Sequence, residues 1–248
     1  MAELVLHAPQ LRKLDLTNCI IFPPGSAVQL FNSLCPLTSF TTLNVSSDSK
    51  DDMDLSPEDC QALGKLLSSS KSMTELNIGG RSLVDPGMEY ISNGLKQNTL
   101  HDLNISGCGL DSNGAHLIAD ALCYNDTLRK LDMKDNPIGD DGATTLAKMV
   151  IRNRILNTLI MKDCAITEVG AIEVAEALCL NSTLIKISLS INAIRDQGAC
   201  ALAQMLTRNQ SLRELDIQCC SISGVGASHL ARALLANHSI TRIELASW

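Results

Sequence analysis

The stretch Leu128-Arg129-Lys130-Leu131-Asp132-Met133-Lys134-Asp135-Asn136-Pro137-Ile138 decides the architecture of this chain. Apolar and polar residues alternate through Leu131 and Met133, the pattern of a short strand with one buried face. The same pattern returns as Leu156-Leu159-Met161-Cys164-Ile166, Leu184-Ile187-Leu189-Asn192-Ile194 and Leu212-Leu215-Ile217-Cys220-Ile222. Upstream it reads Leu100-Leu103-Ile105-Cys108-Leu110, and a partial copy, Ile240-Ile243-Leu245, closes the chain. Weaker copies begin at Leu11, Phe40 and Met73. The starts at 73, 100, 128, 156, 184, 212 and 240 are separated by 27 residues and then five times by 28. A fixed period of this length is the signature of stacked supersecondary units.

Each unit reads as a strand, an inward turn and a helix. The residue eight places after the first Leu sits where the chain turns inward. An Asn there can bond backbone groups that a turning coil leaves unpaired, and a Cys fills the same space as a small apolar group. From Cys108 onward the choice alternates Cys, Asn, Cys, Asn, Cys, a superperiod of 56 residues. Ala143, Leu146, Ala147 and Val150, and likewise Ala199, Leu202, Ala203 and Leu206, put an apolar stripe on one helix face. Gly87, Gly114, Gly142, Gly170, Gly198 and Gly226 recur at the helix entries, where they permit close backbone approach. Asn98, Asn125, Asn153, Asn181, Asn209 and Asn237 follow the helices, in places suited to a left-handed helix end. About nine such units stack, with parallel strands inside and helices outside. Because helices are wider than the strand spacing of roughly 4.8 Å, the stack must curve.

This unit resembles the ribonuclease-inhibitor-like class of leucine-rich repeats, and the resemblance runs over about residues 11–245. It implies an α/β solenoid: a right-handed β-α superhelix forming a horseshoe segment, with a parallel concave sheet and convex helices. The whole of 1–248 is expected to be a single solenoid domain. Similar arrays occur in ribonuclease inhibitor, the sensor regions of NOD-like receptors, Ran GTPase-activating protein and tropomodulin, so the resemblance implies a fold more firmly than a task.

Composition narrows the task. The chain has 248 residues and a net charge of −7, and aromatic residues make up 2%. Nucleic acid and anionic membrane need a basic face, and base stacking needs aromatics, so neither partner is expected. There is no apolar run long enough to span a bilayer and no basic and apolar leader at Met1–His7, which predicts a cytoplasmic protein. Ten cysteines without Cys-x-x-Cys pairing fit buried thiols in a reducing compartment. Six Asn-x-Ser/Thr triplets, from Asn44, Asn104, Asn125, Asn181, Asn209 and Asn237, are then by-products of the repeat. Neither end shows an evident capping unit, which predicts either a fragment of a longer protein or self-association through the ends.

No phosphate loop, dinucleotide fingerprint or His-Glu-x-x-His occurs, and His7, His101, His116, His229 and His238 are scattered. The acidic stretch Ser46–Asp54 fails as a calcium loop, because Pro57 takes the Gly position and Leu63 replaces the bidentate Glu. Asp140 and Asp141 fall at a helix start, where they complement the dipole. Cys220 takes the inward turn position and leaves Cys219 as a candidate exposed thiol. No nucleophile–base pair can be assembled, so neither an enzyme nor a bound cofactor or metal is expected.

Function should then sit at the outward positions one, two, four, six and seven after each first Leu. These vary from unit to unit, and their charges sum close to zero. Ile160 and Ile191 are apolar where most units are polar, and Lys134, Lys162 and Lys186 surround them. With Ser188, Asp216 and Gln218 they form a small apolar centre with a charged rim, the anatomy of a protein interface. The reading is a protein-binding scaffold, as in the sensor part of a larger innate-immune-type receptor. The alternative is a regulator of an enzyme, either an inhibitor like ribonuclease inhibitor or a GTPase activator. A cytoskeletal cap of the tropomodulin type ranks behind both.

Overall fold

A computed structural model describes residues 8–19, 25–48, 55–83 and 86–246. The acidic residues 49–54, His7 and Trp248 lie outside them. The chain divides into two compact units, residues 1–109 with 120–128 and residues 110–119 with 129–248. The first carries strands β1 (Lys13–Asp15), β2 (Thr42–Asn44), β3 (Glu75–Asn77) and β4 (Asp102–Asn104). The second carries β5 (Lys130–Asp132), β6 (Thr158–Ile160), β7 (Lys186–Ser188), β8 (Glu214–Asp216) and β9 (Arg242–Glu244). The helices among the described residues are α1 (Ala27–Leu34), α2 (Pro57–Ser69), α3 (Gly87–Leu95), α4 (Ser112–Leu122), α5 (Gly139–Arg152), α6 (Glu168–Leu180), α7 (Arg195–Arg208) and α8 (Gly224–Leu234).

Every expected unit start is followed by a strand. Leu14, Leu43, Leu76 and Leu103 stand in parallel register in the first unit. In the second unit Leu131, Leu159, Ile187, Leu215 and Ile243 do the same. This is the α/β leucine-rich repeat solenoid expected from the period. Most of the recurring leucines and isoleucines are sealed in the interior, Leu103, Leu131 and Leu159 among them. The helical stripes are buried as well, Ala143, Leu146, Ala147 and Val150 on α5 and Ala199, Leu202, Ala203 and Leu206 on α7.

The glycines lie inside the first helical turn, where they set helix spacing. A methyl group on Gly170 would come to 3.0 Å from Ala143 Cβ, and one on Gly226 to 3.0 Å from Ala199 Cβ. The asparagines after the helices differ from the left-handed ends expected of them. Asn153, Asn181 and Asn209 are extended, with φ of −68°, −93° and −75°. Their side chains join neighbouring repeats instead. Asn181 Nδ2 donates to Val150 O at 2.7 Å, while its Oδ1 accepts from Thr183 and Leu184 N–H. Asn125, Asn209 and Asn237 repeat this. Four of the Asn-x-Ser/Thr triplets thus carry a buried, bonded amide, which closes them to glycosylation in the folded chain.

The Cys/Asn superperiod has a hydrogen-bond cause. Asn192 Oδ1 accepts from Cys164 and Ile166 N–H, both at 3.0 Å, and its Nδ2 donates to Met161, Leu189 and Ser190 carbonyls. Each Asn-type unit therefore satisfies the turn of the Cys-type unit before it. It also serves the one after. Asp140 accepts from the Thr167 hydroxyl and from Thr167 and Gly170 N–H, and Asp196 treats Ser223 and Gly226 identically. So Asp140 does more than face its own helix dipole: it caps the next helix. Burial works against its charge, but the Thr167 and Gly170 donors win and hold its pKa below the usual range. The turn cysteines donate weak bonds to carbonyls, as Cys164 Sγ does to Met133 O at 3.3 Å. Burial pushes the Cys108 and Cys164 thiols up to about 12 and Cys220 to about 11, which keeps them inert.

The first unit breaks this scheme. Arg81 occupies the turn position that Cys19 and Asp48 hold in the two preceding repeats and Cys or Asn holds from Cys108 to Cys220, and it is 1% exposed. Its Nε donates to Val45 O at 2.8 Å and its Nη2 to Cys19 O at 3.2 Å, so one side chain reaches back across two repeats. Ser56 and Asp59 form a capping box at the start of α2, and Leu63, which failed as a calcium ligand, is buried core.

Candidate functional site

The fourth position of each repeat, at the outward end of the strand, is less free than its variation suggests. In the first unit Asp15, Asn44, Asn77 and Asn104 occupy it. Each side-chain Oδ1 accepts the N–H two residues on, from Thr17 (2.9 Å), Ser46 (3.1 Å), Gly79 (3.0 Å) and Ser106 (2.9 Å). Asp132 and Asp216 do the same for Lys134 (3.1 Å) and Gln218 (3.2 Å). These Asx turns satisfy amides as the chain leaves the sheet. Three repeats in the second unit depart from the rule, one of them on β9, where Glu244 takes the place and pairs with Arg242. Ile160 on β6 has no acceptor, and the Ser188 hydroxyl on β7 donates sideways to Asp216 Oδ2 at 2.7 Å.

The seventh position carries a second hidden demand. Asn18, Gly80, Gly107, Asp135, Asp163, Ile191 and Cys219 all have φ between 51° and 75°. Gly, Asn and Asp tolerate this left-handed conformation. Ile191, at φ 55°, does not: a β-branched residue there clashes with its own backbone. Its N–H still donates to Gln218 O at 2.8 Å, so the strained geometry belongs to the repeat. The side chain chosen for it is the anomaly.

The sequence-derived residues separate into two groups. Lys134, Ile160, Lys162 and Ile191 are half-buried and make no side-chain hydrogen bond or ion pair among the described residues. The other four are already engaged. Lys186 Nζ lies 2.8 Å from Glu214 Oε2, Asp216 accepts from Ser188, and Gln218 Nε2 donates to Glu244 Oε2 at 2.6 Å. Ser188 differs most from the expected outward position, since it is 5% exposed and pairs with the Ser190 hydroxyl at 3.1 Å. Cys219 is half-buried against Ala246 O. Burial raises the pKa of Asp132, in spite of the Lys134 N–H and the nearby lysines.

Next to Ile191 the surface dips into a depression of about 380 Å³, lined by Asp135, Pro137, Asp163, Ala165, Thr167 and Ala193 among others. Ordinary residue typing gave no hint of it. The signal that could have found it is position seven, mostly Asn, Gly and Asp with Ser47 and Cys219, where Ile191 is the one β-branched residue among the described repeats. On the helical side a second depression of about 490 Å³ lies between α6 and α7, floored by Ile172, Ala175 and Ala201. Among the described residues no group of three or more His, Cys, Asp or Glu is placed to hold a metal ion, and no helix is long and apolar enough to cross a membrane.

A leucine-rich repeat family profile matches residues 96–119, 124–147 and 208–231. Human NACHT, LRR and PYD domains-containing protein 13 is 33% identical over 79 residues, 31% of this chain and 8% of that protein. The ribonuclease inhibitor of Sus scrofa is 33% identical over 89 residues, 35% of this chain and 20% of that protein. The chain therefore spans a fifth or less of these relatives. Among solved structures, the leiomodin-1 actin-binding site 2 covers 84% of this chain and is covered over 86% of its own length, at 15% identity and a TM-score of 0.41.

Proposed function

We propose that this chain, a leucine-rich repeat protein of the ribonuclease-inhibitor-like kind, is a non-enzymatic cytoplasmic scaffold that holds a folded protein partner on the outward surface of β6 and β7. The observation that carries this reading is the paired departure at Ile160 and Ile191. Both put apolar side chains at positions where neighbouring repeats spend a residue on the backbone, through an Asx turn at one and left-handed tolerance at the other. A half-exposed apolar centre with Lys134 and Lys162 beside it is the composition of an interface core and rim. Strain at Ile191 fits a position kept for recognition at some expense in stability. The matches to NACHT, LRR and PYD proteins support a sensor segment of a larger receptor. The match to ribonuclease inhibitor keeps the enzyme-regulator reading as the second choice.

Affinity capture from lysate tests the scaffold reading, using wild type, Ile160→Asp, Ile191→Asp and the helix-side variant Gln204→Asp. We expect one protein to be retained by wild type and Gln204→Asp and lost with both isoleucine variants. Equal capture by all four removes the site. An effect of the added chain on ribonuclease or GTPase turnover would move the conclusion to the regulator.

A further inference from the structure

We infer that the rim of the second unit where helices end and strands begin binds an acidic protein segment that carries bulky aliphatic side chains. This goes beyond the scaffold reading, which concerns the outward surface of the sheet. Three helix-to-strand turns lie side by side on this rim. Asn181 Nδ2 donates to Asn153 O at 3.4 Å, and Asn209 Nδ2 to Asn181 O at 3.0 Å. Ile185 N–H donates to Asn157 O and Arg213 N–H to Ile185 O, both at 2.8 Å. The residues flanking these asparagines therefore form rows across three repeats. One row reads Arg152, Leu180, Arg208, and Arg154 stands beside it. All three arginines are exposed and make no ion pair or side-chain hydrogen bond among the described residues. The one carboxylate in segments 150–158, 178–186 and 206–214, that of Glu214, already lies 2.8 Å from Lys186 Nζ.

Apolar exposure gathers on the same rim. Leu180 is 64% exposed, Ile185 41% and Ile155 36%. Ile155 also breaks a rule of the repeat. Thr99, Thr127, Ser211 and Ser239 hold the equivalent place, and each hydroxyl donates to a carbonyl of the preceding repeat. Ile155 gives up that bond and presents an aliphatic side chain instead. Helix dipoles account for Arg152 and Arg208, the last residues of α5 and α7, but not for Arg154 or Ile155, which lie beyond the helix. The depression of about 490 Å³ between α6 and α7 reaches this rim at Leu180 and Arg208, where an aliphatic side chain can lodge. Glu176 bounds it further back along α6, which puts the partner's acids on the arginine side. Aliphatic residues with arginines around them have the composition of an interface centre and rim. Unpaired cations select an acidic occupant. Nucleic acid would meet the arginines but set phosphates against Leu180, Ile185 and Ile155, and the net charge of −7 repels it elsewhere.

The isotopically labelled full chain is titrated with a synthetic amphipathic peptide of glutamate and leucine while backbone amide resonances are followed. A glutamate–serine peptide, a lysine–leucine peptide and single-stranded oligothymidylate are titrated in parallel. We expect saturable shifts at residues 152–157 and 180–185 with the glutamate–leucine peptide. The glutamate–serine peptide should bind about tenfold more weakly, and the other two should not bind. The triple variant Arg152→Gln, Arg154→Gln, Arg208→Gln should weaken the titration about tenfold, the size of three partly exposed ion pairs. Ile155→Thr restores the hydroxyl of the neighbouring repeats, so it should fold as wild type does and bind about three- to fivefold more weakly. Ile191→Asn, on the sheet surface, should leave this titration unchanged, which separates it from the capture experiment. Shifts confined to residues 160–163 and 188–193, equal affinity for the glutamate–serine peptide or the oligonucleotide, or an unaltered titration in the triple variant each overturns the inference. So does concentration-dependent self-association that the triple variant abolishes, since the occupant would then be a second copy of the chain.

Discussion

The outward rows of β1–β4 and of β6–β7 share one backbone and use it differently. In the first unit the fourth position is Asp15, Asn44, Asn77 and Asn104, all closing turns, and the seventh includes Asn18, Gly80 and Gly107, all at ease with positive φ. In the second unit Ile160, Ser188 and Ile191 fill the equivalent places on β6 and β7 and leave those duties undone. A solenoid tolerates this because each repeat is also held by its neighbours. The strand ladder continues through Ile191 N–H, and Asn192 ties the same turn to the preceding repeat. The difference shows where the fold has released side chains from architecture.

The largest effect should come from breaking what holds the released region. Asn192→Ala leaves the Cys164 and Ile166 amides and three carbonyls without their partner. At about 1–3 kcal/mol for a buried unsatisfied group, a loss of at least about 3 kcal/mol is expected in chemical denaturation. A loss under about 1 kcal/mol would mean the turn is not held by this amide.

Ile191→Asn comes next. Left-handed φ costs a non-glycine residue about 1–2 kcal/mol, and Asn escapes much of that, so this variant should be more stable than wild type by about 1 kcal/mol. It should also lose the partner. Gain in one and loss in the other is the signature of a residue kept for contact, and a destabilised variant would contradict it.

Moving the second unit's residue into the first is the reciprocal test. Asn77→Ile removes the acceptor for Gly79 N–H and should cost about 1 kcal/mol. Ile160→Asn, which restores the row, should cost nothing or stabilise. Equal losses from both would show that the rows are equivalent.

The smallest effect belongs to Asp132, whose pKa is raised by burial. A carboxyl with a raised folded pKa is better accommodated protonated. Its contribution to stability is therefore largest below its unfolded pKa and declines as pH rises through the folded one. Asp132→Asn keeps the Asx acceptor and removes the charge, so it should raise the melting temperature slightly at neutral pH and not in acid. A fall at neutral pH would reverse the assignment.

How much of this could be read from sequence follows from the kind of force involved. The strands and helical stripes were legible because apolar burial repeats Leu103, Leu131 and Leu159 at constant spacing. The Cys/Asn alternation was visible as letters, but its cause was not, since Asn192 and Asp140 act on residues about a whole repeat away. The asparagines after the helices were misread as left-handed ends, because a residue type suited to one backbone shape served another purpose in its side chain. Arg81 was missed because nothing local marks a cation that bonds carbonyls two repeats back. The candidate surface was half legible. Ile160 and Ile191 stood out by polarity, whereas Ser188, Asp216 and Gln218 looked free and are tied to one another and to Glu244 by bonds across strands.

Amide hydrogen exchange of the chain, alone and with its captured partner, tests the claim of released side chains most directly. We expect slowed exchange on binding at residues 160–163 and 188–193, with α6 and α7 unchanged. Protection confined to the helical side, at residues 172–180 and 197–208, would contradict it.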